Sequence, residues 1–200
     1  MKFIKHRVNT ISELKNLNSK YGVEVDLRSY KKEIILNHEP FEQGVLFEDW
    51  IKEYQHDCLI LNIKEEGIEE KILSILEQKQ IKNYFFLDQS LPMLIKKSIG
   101  GNKKTAIRFS SYESFDTVLK FKDLVNWIWI DYYDYYPLNK EIISHIKQFN
   151  LKTCLVSPEL QGYSIESIQK AQHSIKSFIS SIDAVCTKDI YLWNKFCKNN

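Results

Sequence analysis

The chain has 200 residues, a length that suits one large domain. Its 28 basic and 26 acidic residues give a formal net charge of +2, which excludes the strongly basic surface that recruits nucleic acid or anionic membranes. Hydrophobic residues make up 44% and charged residues 27%, which excludes a disordered, collagen-like or disulfide-scaffold protein.

Neither a membrane span nor an export signal is expected. No run approaches the ~20 apolar residues that a membrane helix needs. The residues after Met1 also lack the apolar segment of a signal peptide. The four cysteines show no Cys-x-x-Cys spacing, and three of them lie in apolar runs, which predicts buried, reduced thiols. We therefore expect a cytoplasmic protein without membrane insertion.

Eight short apolar runs alternate with amphipathic stretches along the chain. Each run is rich in β-branched or aromatic residues and has the length of a buried strand. The predicted strands are residues 2–5, 22–27, 58–63, 83–87, 105–109, 127–130, 152–156 and 184–186. The stretches between them have the spacing of helices, and Thr10 with Glu13 predicts a capping box at the first helix. Residues 30–39 break the alternation and predict an extra hairpin arm after the second strand.

Alternating strands and helices predict parallel pairing through crossover connections. Eight such units predict an α/β fold, a compact (β/α)8 TIM barrel. No linker rich in proline, glycine or serine divides the chain, so we expect residues 1–200 to form a single domain. The alternative is an open doubly wound sheet, but no glycine-rich phosphate loop follows the first strand.

The predicted strands end in polar residues, where a (β/α)8 barrel places its catalytic groups. The second strand carries Glu24, Asp26 and Arg28 at alternate positions, so their side chains share one face. Two inward carboxylates repel each other and require a cation or an arginine between them. The later strand-end residues are Asn62, Lys64, Asp88, Arg108, Asp131, Glu159 and Lys188.

Four short motifs follow one another in the first third of the chain. They are His6-Arg7-Val8-Asn9-Thr10, Glu24-Val25-Asp26, His38-Glu39-Pro40 and Asn62-Ile63-Lys64. Their order resembles the glycerophosphodiester phosphodiesterase family, within the wider phospholipase-C-like phosphodiesterases. The resemblance is sharpest over residues 6–64, and it implies a (β/α)8 barrel that cleaves phosphodiesters.

The resemblance also implies roles for the residues of the motifs. His6 and His38 are expected to act as acid and base on a small glycerol- or sugar-phosphate diester. Glu24, Asp26 and Asn62 are expected to hold a divalent cation, Mg²⁺ or Ca²⁺. Arg7, Lys64 and Arg108 are expected to bind the substrate phosphate. The residues expected to line the substrate are Asp88, Asp131, Glu159 and Lys188.

Several positions depart from the family pattern. Val8 replaces a glycine, Glu39 stands where aspartate is usual, and Asn62 replaces the third metal-binding glutamate. Because asparagine offers a ligand oxygen without a charge, we expect weak metal binding, with Arg28 or Lys64 supplying positive charge. Two alternatives stay open: a degenerate barrel that binds a phosphorylated ligand without catalysis, and a sugar-phosphate isomerase, aldolase or lyase with a lysine amine (Lys64 or Lys188).

The sixth predicted strand continues into a loop rich in tyrosine. Its rings are Tyr132, Tyr133, Tyr135 and Tyr136. Four neighbouring tyrosines cannot all be buried, so some of them are expected to line a site for a sugar or polyol. No basic amphipathic helix stands out, so a membrane-bound lipid substrate is not expected.

Overall fold

A computed structural model describes residues 1–199 as a mixed α/β fold. The strands are β1 (Lys2–Lys5), β2 (Gly22–Tyr30), β3 (Glu33–Leu36), β4 (Val45–Leu46), β5 (Leu59–Ile63), β6 (Tyr84–Leu87), β7 (Ala106–Phe109), β8 (Trp127–Ile130), β9 (Lys152–Val156) and β10 (Ala184–Thr187). The helices are α1 (Ile11–Asn16), α2 (Phe47–Trp50), α3 (Glu69–Gln78), α4 (Leu91–Ile99), α5 (Phe115–Phe121), α6 (Lys140–Gln148), α7 (Glu166–Ile175) and α8 (Ile190–Lys198). Short 3₁₀ segments cover Ile51–Glu53, Pro158–Gln161 and Lys176–Ser181.

The predicted alternation of strands and helices is confirmed. All eight predicted strands are present, and a helix follows each of them. The hairpin arm is also present, because β3 pairs antiparallel with the end of β2 and extends that strand to Tyr30. The two-residue strand β4 was not predicted, since Val45–Leu46 is too short to show a period.

The chain divides into two compact units. The first unit is residues 6–97, and the second unit is residues 1–5 together with residues 98–199. Closure of the strands into one barrel and the single domain stay predictions.

In the first unit the strands are ordered β4-β3-β2-β5-β6. β2, β5 and β6 run parallel, and β3 and β4 add the antiparallel arm. The register of β2 and β5 pairs Asp26 with Asn62. Because partners on neighbouring strands point to the same side of a sheet, these two side chains lie side by side.

The core of the first unit packs helices against this sheet. Phe47 and Trp50 of α2 are fully buried together with strand residues such as Val25 and Leu61. Burial of each such side chain stabilises the fold by roughly 1.5–3 kcal/mol. The start of α1 has the predicted capping box, with reciprocal hydrogen bonds between Thr10 and Glu13.

In the second unit five parallel strands are ordered β1-β10-β9-β8-β7. Trp193 of α8 is fully buried and donates its indole N–H to Ser157 Oγ at 2.7 Å, directly after β9. This bond fixes the last helix against the carboxyl end of the sheet, where several of the predicted site residues lie.

Two further predictions concern the chain as a whole. Among residues 1–199, no α-helix combines the length and the apolar composition needed to cross a bilayer. The four cysteines are free thiols, and three of them, Cys58, Cys154 and Cys186, are buried.

Candidate active site

Two buried carboxylates lie on one face of β2. Glu24 and Asp26 are 0% and 1% exposed. They are two residues apart on one strand, so their side chains point the same way. Burial of two like charges this close is unfavourable unless other groups compensate them. The contacts of each carboxylate show how that is achieved.

Glu24 is held by hydrogen bonds at both of its oxygens. Oε2 accepts the backbone N–H of Arg7 at 2.8 Å, and Oε1 accepts from Asn62 Nδ2, also at 2.8 Å. Burial and, to a smaller extent, the neighbouring charge of Asp26 together raise the pKa of Glu24 to about 7, against the two hydrogen bonds. Glu24 therefore changes its charge near neutral pH.

Arg7 reaches Glu24 through a left-handed backbone conformation, with φ of 56°. This conformation costs a non-glycine residue roughly 1–2 kcal/mol, and it turns the Arg7 amide toward the carboxylate. The next residue, Val8, donates its amide to the Glu24 carbonyl at 2.9 Å and belongs to the buried core. The valine that replaces the family glycine is thus a packing residue beneath the site.

Asp26 is surrounded by donors and cations. Asn9 Nδ2 donates to Oδ2 at 2.9 Å, and the Asp26 amide donates back to Asn9 Oδ1 at 3.0 Å. Arg7 Nε lies 3.2 Å from Oδ2, and Lys64 Nζ lies 3.3 Å from Oδ1. Asn9 was not assigned a role from the sequence, although it belongs to the first motif. Its position two residues after Arg7 was the only available signal.

The donor set does not fit a divalent cation well in this arrangement. Both oxygens of Glu24 already accept hydrogen bonds, and Asn62 turns its amide nitrogen, not its oxygen, toward them. A metal ion on Asp26 Oδ1 would have to displace the Lys64 ammonium. Within residues 1–199, no three His, Cys, Asp or Glu side chains are grouped to hold a metal. The buried Oδ1 of Asn62 accepts no hydrogen bond from residues 1–199 and could serve as a cation ligand.

His6 lies beside this pair. Its Nε2 is 3.7 Å from Glu24 Oε2, and its side chain is 14% exposed. A carboxylate at this distance stabilises positive charge on an imidazole that has accepted a proton. His6 is therefore placed to exchange a proton while Glu24 stabilises the resulting charge.

His38 lies in the segment that follows β3, close to Asp26 of β2. The adjacent Asn37 amide donates to the Asp26 carbonyl at 3.1 Å. The His38 ring contacts Glu39 through Nδ1, 2.7 Å from Oε1. That hydrogen bond, with the charge of the imidazolium, lowers the pKa of Glu39. The contact fixes the ring and leaves Nε2 for a substrate.

Arg28 of β2 makes structural hydrogen bonds to two backbone carbonyl groups. Its Nε donates to the His38 carbonyl at 3.0 Å, and Nη1 donates to the Lys64 carbonyl at 3.2 Å. Of the two residues expected to supply positive charge, Lys64 contacts the carboxylate pair, and Arg28 ties together the segments that carry His38 and Lys64.

The second unit has its own buried carboxylate. Asp131 follows β8 and is 0% exposed. Arg108 Nη1 lies 2.5 Å from Oδ2, and Gln161 Nε2 donates to Oδ1 at 2.6 Å. Burial raises the pKa of Asp131, and the charge of Arg108 opposes that rise. Gln161 was not predicted, because a lone glutamine after β9 has no distinguishing pattern.

Comparisons with known proteins identify the fold and no sequence relative. Neither a protein-family model nor a curated protein matches the chain. Among solved structures, it is similar to a candidate glycerophosphoryl diester phosphodiesterase of Agrobacterium tumefaciens strain C58, with a TM-score of 0.68 and 11% identity over 99% of this chain and 98% of the other. A glycerophosphoryl diester phosphodiesterase of Parabacteroides distasonis matches with a TM-score of 0.65 and 10% identity over 99% and 86% of the two chains. A glycerophosphodiester phosphodiesterase of Agrobacterium tumefaciens strain C58 matches with a TM-score of 0.62 and 12% identity over 94% and 96%.

The chain has the fold of glycerophosphodiester phosphodiesterases. The resemblance inferred from the four motifs is thereby confirmed at the level of the fold. At identities of 10–12%, the roles of individual residues rest on the geometry described above.

The remaining predicted residues on this phosphodiesterase fold make contacts of their own. Glu159 accepts from Thr187 Oγ1 at 2.6 Å and from the Lys188 amide at 2.8 Å, so it closes the turn after β10. The Lys188 side chain is exposed. Asp88 follows β6 in a left-handed conformation, with φ of 59°, and is partly buried.

Proposed function

We propose that the chain hydrolyses a small glycerol- or sugar-phosphate diester, with His6 and His38 as the proton-transfer groups. The observation that carries this proposal is the charge balance around β2. Arg7 and Lys64 bring two positive charges to two buried carboxylates, and one of these, Glu24, has a pKa of about 7. Glu24 is therefore only partly ionised at neutral pH, so the two cations exceed the charge of the two carboxylates, which favours a bound phosphate.

Arg7 is the group best suited to receive the phosphate. Its Nε contacts Asp26, its side chain is 44% exposed, and no residue within 1–199 bonds its two terminal nitrogens. A guanidinium held at Nε presents those two nitrogens as a planar fork, which matches two phosphate oxygens. Lys64, 17% exposed, adds a point charge from the other side of Asp26.

The proposed reaction moves two protons. His6 takes the proton of a hydroxyl group as its oxygen forms a bond to phosphorus, and Glu24 stabilises the imidazolium from 3.7 Å. His38, oriented by Glu39, gives a proton to the leaving alkoxide oxygen as its bond to phosphorus breaks. No step runs through a metal ion. Weak binding of Mg²⁺ or Ca²⁺ by Glu24, Asp26 and Asn62 stays a prediction.

We also propose that the eight strand–helix units close into the predicted (β/α)8 barrel. The parallel pairing within each unit and the likeness of fold support this closure. A crystal structure with an unpaired edge on β6 or β7 would contradict it. The predicted cytoplasmic location stays a prediction.

The experiment that tests the proposal is a turnover assay. Wild-type protein is given bis-p-nitrophenyl phosphate and a set of glycerophosphodiesters, beside His6→Ala and the control His173→Ala, which removes an exposed histidine of α7. We expect wild type and the control to hydrolyse a diester and His6→Ala to fail. Saturable binding of a diester without turnover would support the ligand-binding alternative instead. Borohydride trapping of a carbonyl substrate would support the lysine-dependent isomerase, aldolase or lyase.

A further inference from the structure

The second unit contains an open cavity of about 450 Å³ that the proposed reaction does not use. Its lining residues are Arg108, Tyr112, Glu113, Tyr133 and Gln161. They come from the segments at the carboxyl ends of β7, β8 and β9, three neighbouring parallel strands. We call this the tyrosine cavity.

The polar wall of the tyrosine cavity is fixed by the buried Asp131. Its two oxygens hold Arg108 at 2.5 Å and Gln161 at 2.6 Å. Because both side chains are bound at one end to a fully buried carboxylate, they lose little freedom when a ligand binds. The wall is therefore preorganised for hydrogen bonding.

The aromatic rim is also held in place. Tyr112 is 83% exposed, and its ring meets that of Tyr133 edge to face, with centroids 5.5 Å apart. Ser110 Oγ accepts the amides of Tyr112 and Glu113, each at 3.1 Å, and donates to Glu113 Oε2 at 2.7 Å. A tight turn thus presents an aromatic ring to solvent at the edge of a polar cavity.

The charges around the cavity argue against an anionic ligand. Arg108 is paired with Asp131, and Glu113 adds a second carboxylate. The Oε1 atom of Glu113 forms no hydrogen bond with any other part of residues 1–199. The cavity thus combines an acceptor oxygen of Glu113, the fixed amide of Gln161 and the fixed guanidinium of Arg108. An exposed tyrosine ring lies beside them, and there is no excess positive charge. A neutral ligand therefore suits this cavity better than a phosphate group, and the phosphate-binding role expected for Arg108 from the sequence stays a prediction.

We propose that the tyrosine cavity binds a neutral sugar or cyclic polyol. The apolar C–H face of such a ring packs on Tyr112 and Tyr133, and its hydroxyl groups bond Glu113, Gln161 and Arg108. Hydroxyl groups both donate and accept, so they match this mixed wall. The inference concerns the second unit alone and does not rest on the proposed hydrolysis.

The test is binding by the full chain, measured by NMR titration with methyl glucoside and myo-inositol as neutral probes and inorganic phosphate as the anionic probe. Tyr112→Ala is the test variant, and Tyr191→Ala, which removes another exposed tyrosine of the second unit, is the matched control. We expect saturable binding of at least one neutral probe, weakened by about tenfold in Tyr112→Ala and unchanged in Tyr191→Ala.

The same titration separates this inference from the proposed reaction. His6→Ala should bind the neutral probe as wild type does, whatever its turnover. A lack of saturable binding by both neutral probes would overturn the inference, as would equal affinity in Tyr112→Ala. Glu113→Gln, which keeps the shape of the wall, provides a second variant, and we expect it to weaken the binding of the neutral probe.

Discussion

Each unit buries acidic side chains on a parallel strand or directly after one, but the two units neutralise them differently. In the first unit, Glu24 and Asp26 share one face and are compensated by Arg7 and Lys64. In the second unit, Asp131 is the buried carboxylate, and Arg108 and Gln161 bind its two oxygens. A pair of carboxylates yields a group that titrates near neutral pH, whereas a single carboxylate with its own arginine yields a rigid ion pair. The first arrangement suits proton transfer, and the second suits binding.

The largest expected effect is a loss of the hydrolysis rate. It is expected in variants of the first unit, where we place the chemistry, and not in variants of the second. His38→Ala should lower kcat/KM by roughly 10²-fold or more, because a positioned acid or base commonly contributes that much. Glu39→Gln should lower it less, since the imidazole stays and only its orienting partner changes. His173→Ala, in the second unit, should leave the rate unchanged. Steady-state kinetics on a glycerophosphodiester measure all three variants, and equal rates in His38→Ala and wild type would show that His38 is structural.

The next prediction compares how much the free energy of unfolding depends on the cation beside the buried carboxylate of each unit. Arg108→Met keeps the bulk of the side chain but leaves Asp131 buried without a cation, so unfolding free energy should fall by about 3 kcal/mol. Lys64→Met leaves Asp26 with Arg7 and Asn9, so the loss should be about 1 kcal/mol. Urea unfolding at pH 7 measures both values. Equal losses would mean that the two carboxylates are compensated in the same way.

The third prediction uses the raised pKa of Glu24. The folded state holds this proton up to a pKa of about 7, whereas the unfolded chain releases it near 4.5, so wild type loses stability as pH rises through this window. Glu24→Gln removes the titration, and a rotation of the Asn62 amide lets its free oxygen accept from the new side chain.

Stability curves of the two proteins from pH 4 to pH 8 provide the test. Relative to wild type, Glu24→Gln should gain stability with rising pH, by roughly 3 kcal/mol over the window, since one pKa unit corresponds to about 1.4 kcal/mol. Asp131→Asn is the comparison from the second unit. Parallel curves for wild type and Glu24→Gln would show that Glu24 is ionised throughout.

The smallest expected effect concerns metal binding. Wild type should bind Mg²⁺ or Ca²⁺ weakly, and Asn62→Glu should tighten the binding by about tenfold. The reason is that the affinity of an oxygen-ligand site for a divalent cation rises with the negative charge of its ligands. Asn62→Gln, which adds no charge, is the control. Calorimetric titration measures the three proteins. No gain in Asn62→Glu would indicate that the new carboxylate pairs with Lys64 instead.

The sequence predicts the strands well and the contacts only in part. Runs such as Trp127–Ile130 are apolar, β-branched or aromatic, and bounded by polar residues, so their secondary structure follows from local pattern. Glu24 and Asp26 share one face of the sheet because side chains alternate between the two faces along a strand. The pairing of Arg108 with Asp131 depends on the register of β7 and β8, which no local pattern fixes.

The supporting residues of the two sites were harder to predict. Asn9 and Gln161 bond the buried carboxylates. Gln161 belongs to no motif, and the place of Asn9 in the first motif did not indicate its role. The left-handed conformation of Arg7 likewise could not be predicted from its residue type, since glycine is the residue that usually adopts this conformation. Such positions are set by tertiary contacts and require coordinates.

The central claim is that Arg7 and Lys64, and not a metal ion, provide the positive charge for phosphodiester hydrolysis. The most direct test is the initial rate of wild-type hydrolysis of a glycerophosphodiester in excess EDTA, compared with the rate in Mg²⁺. The charge balance at Asp26 predicts the same rate in both conditions, and a large loss in Lys64→Met. A rate that disappears in EDTA and returns with Mg²⁺ would contradict the claim.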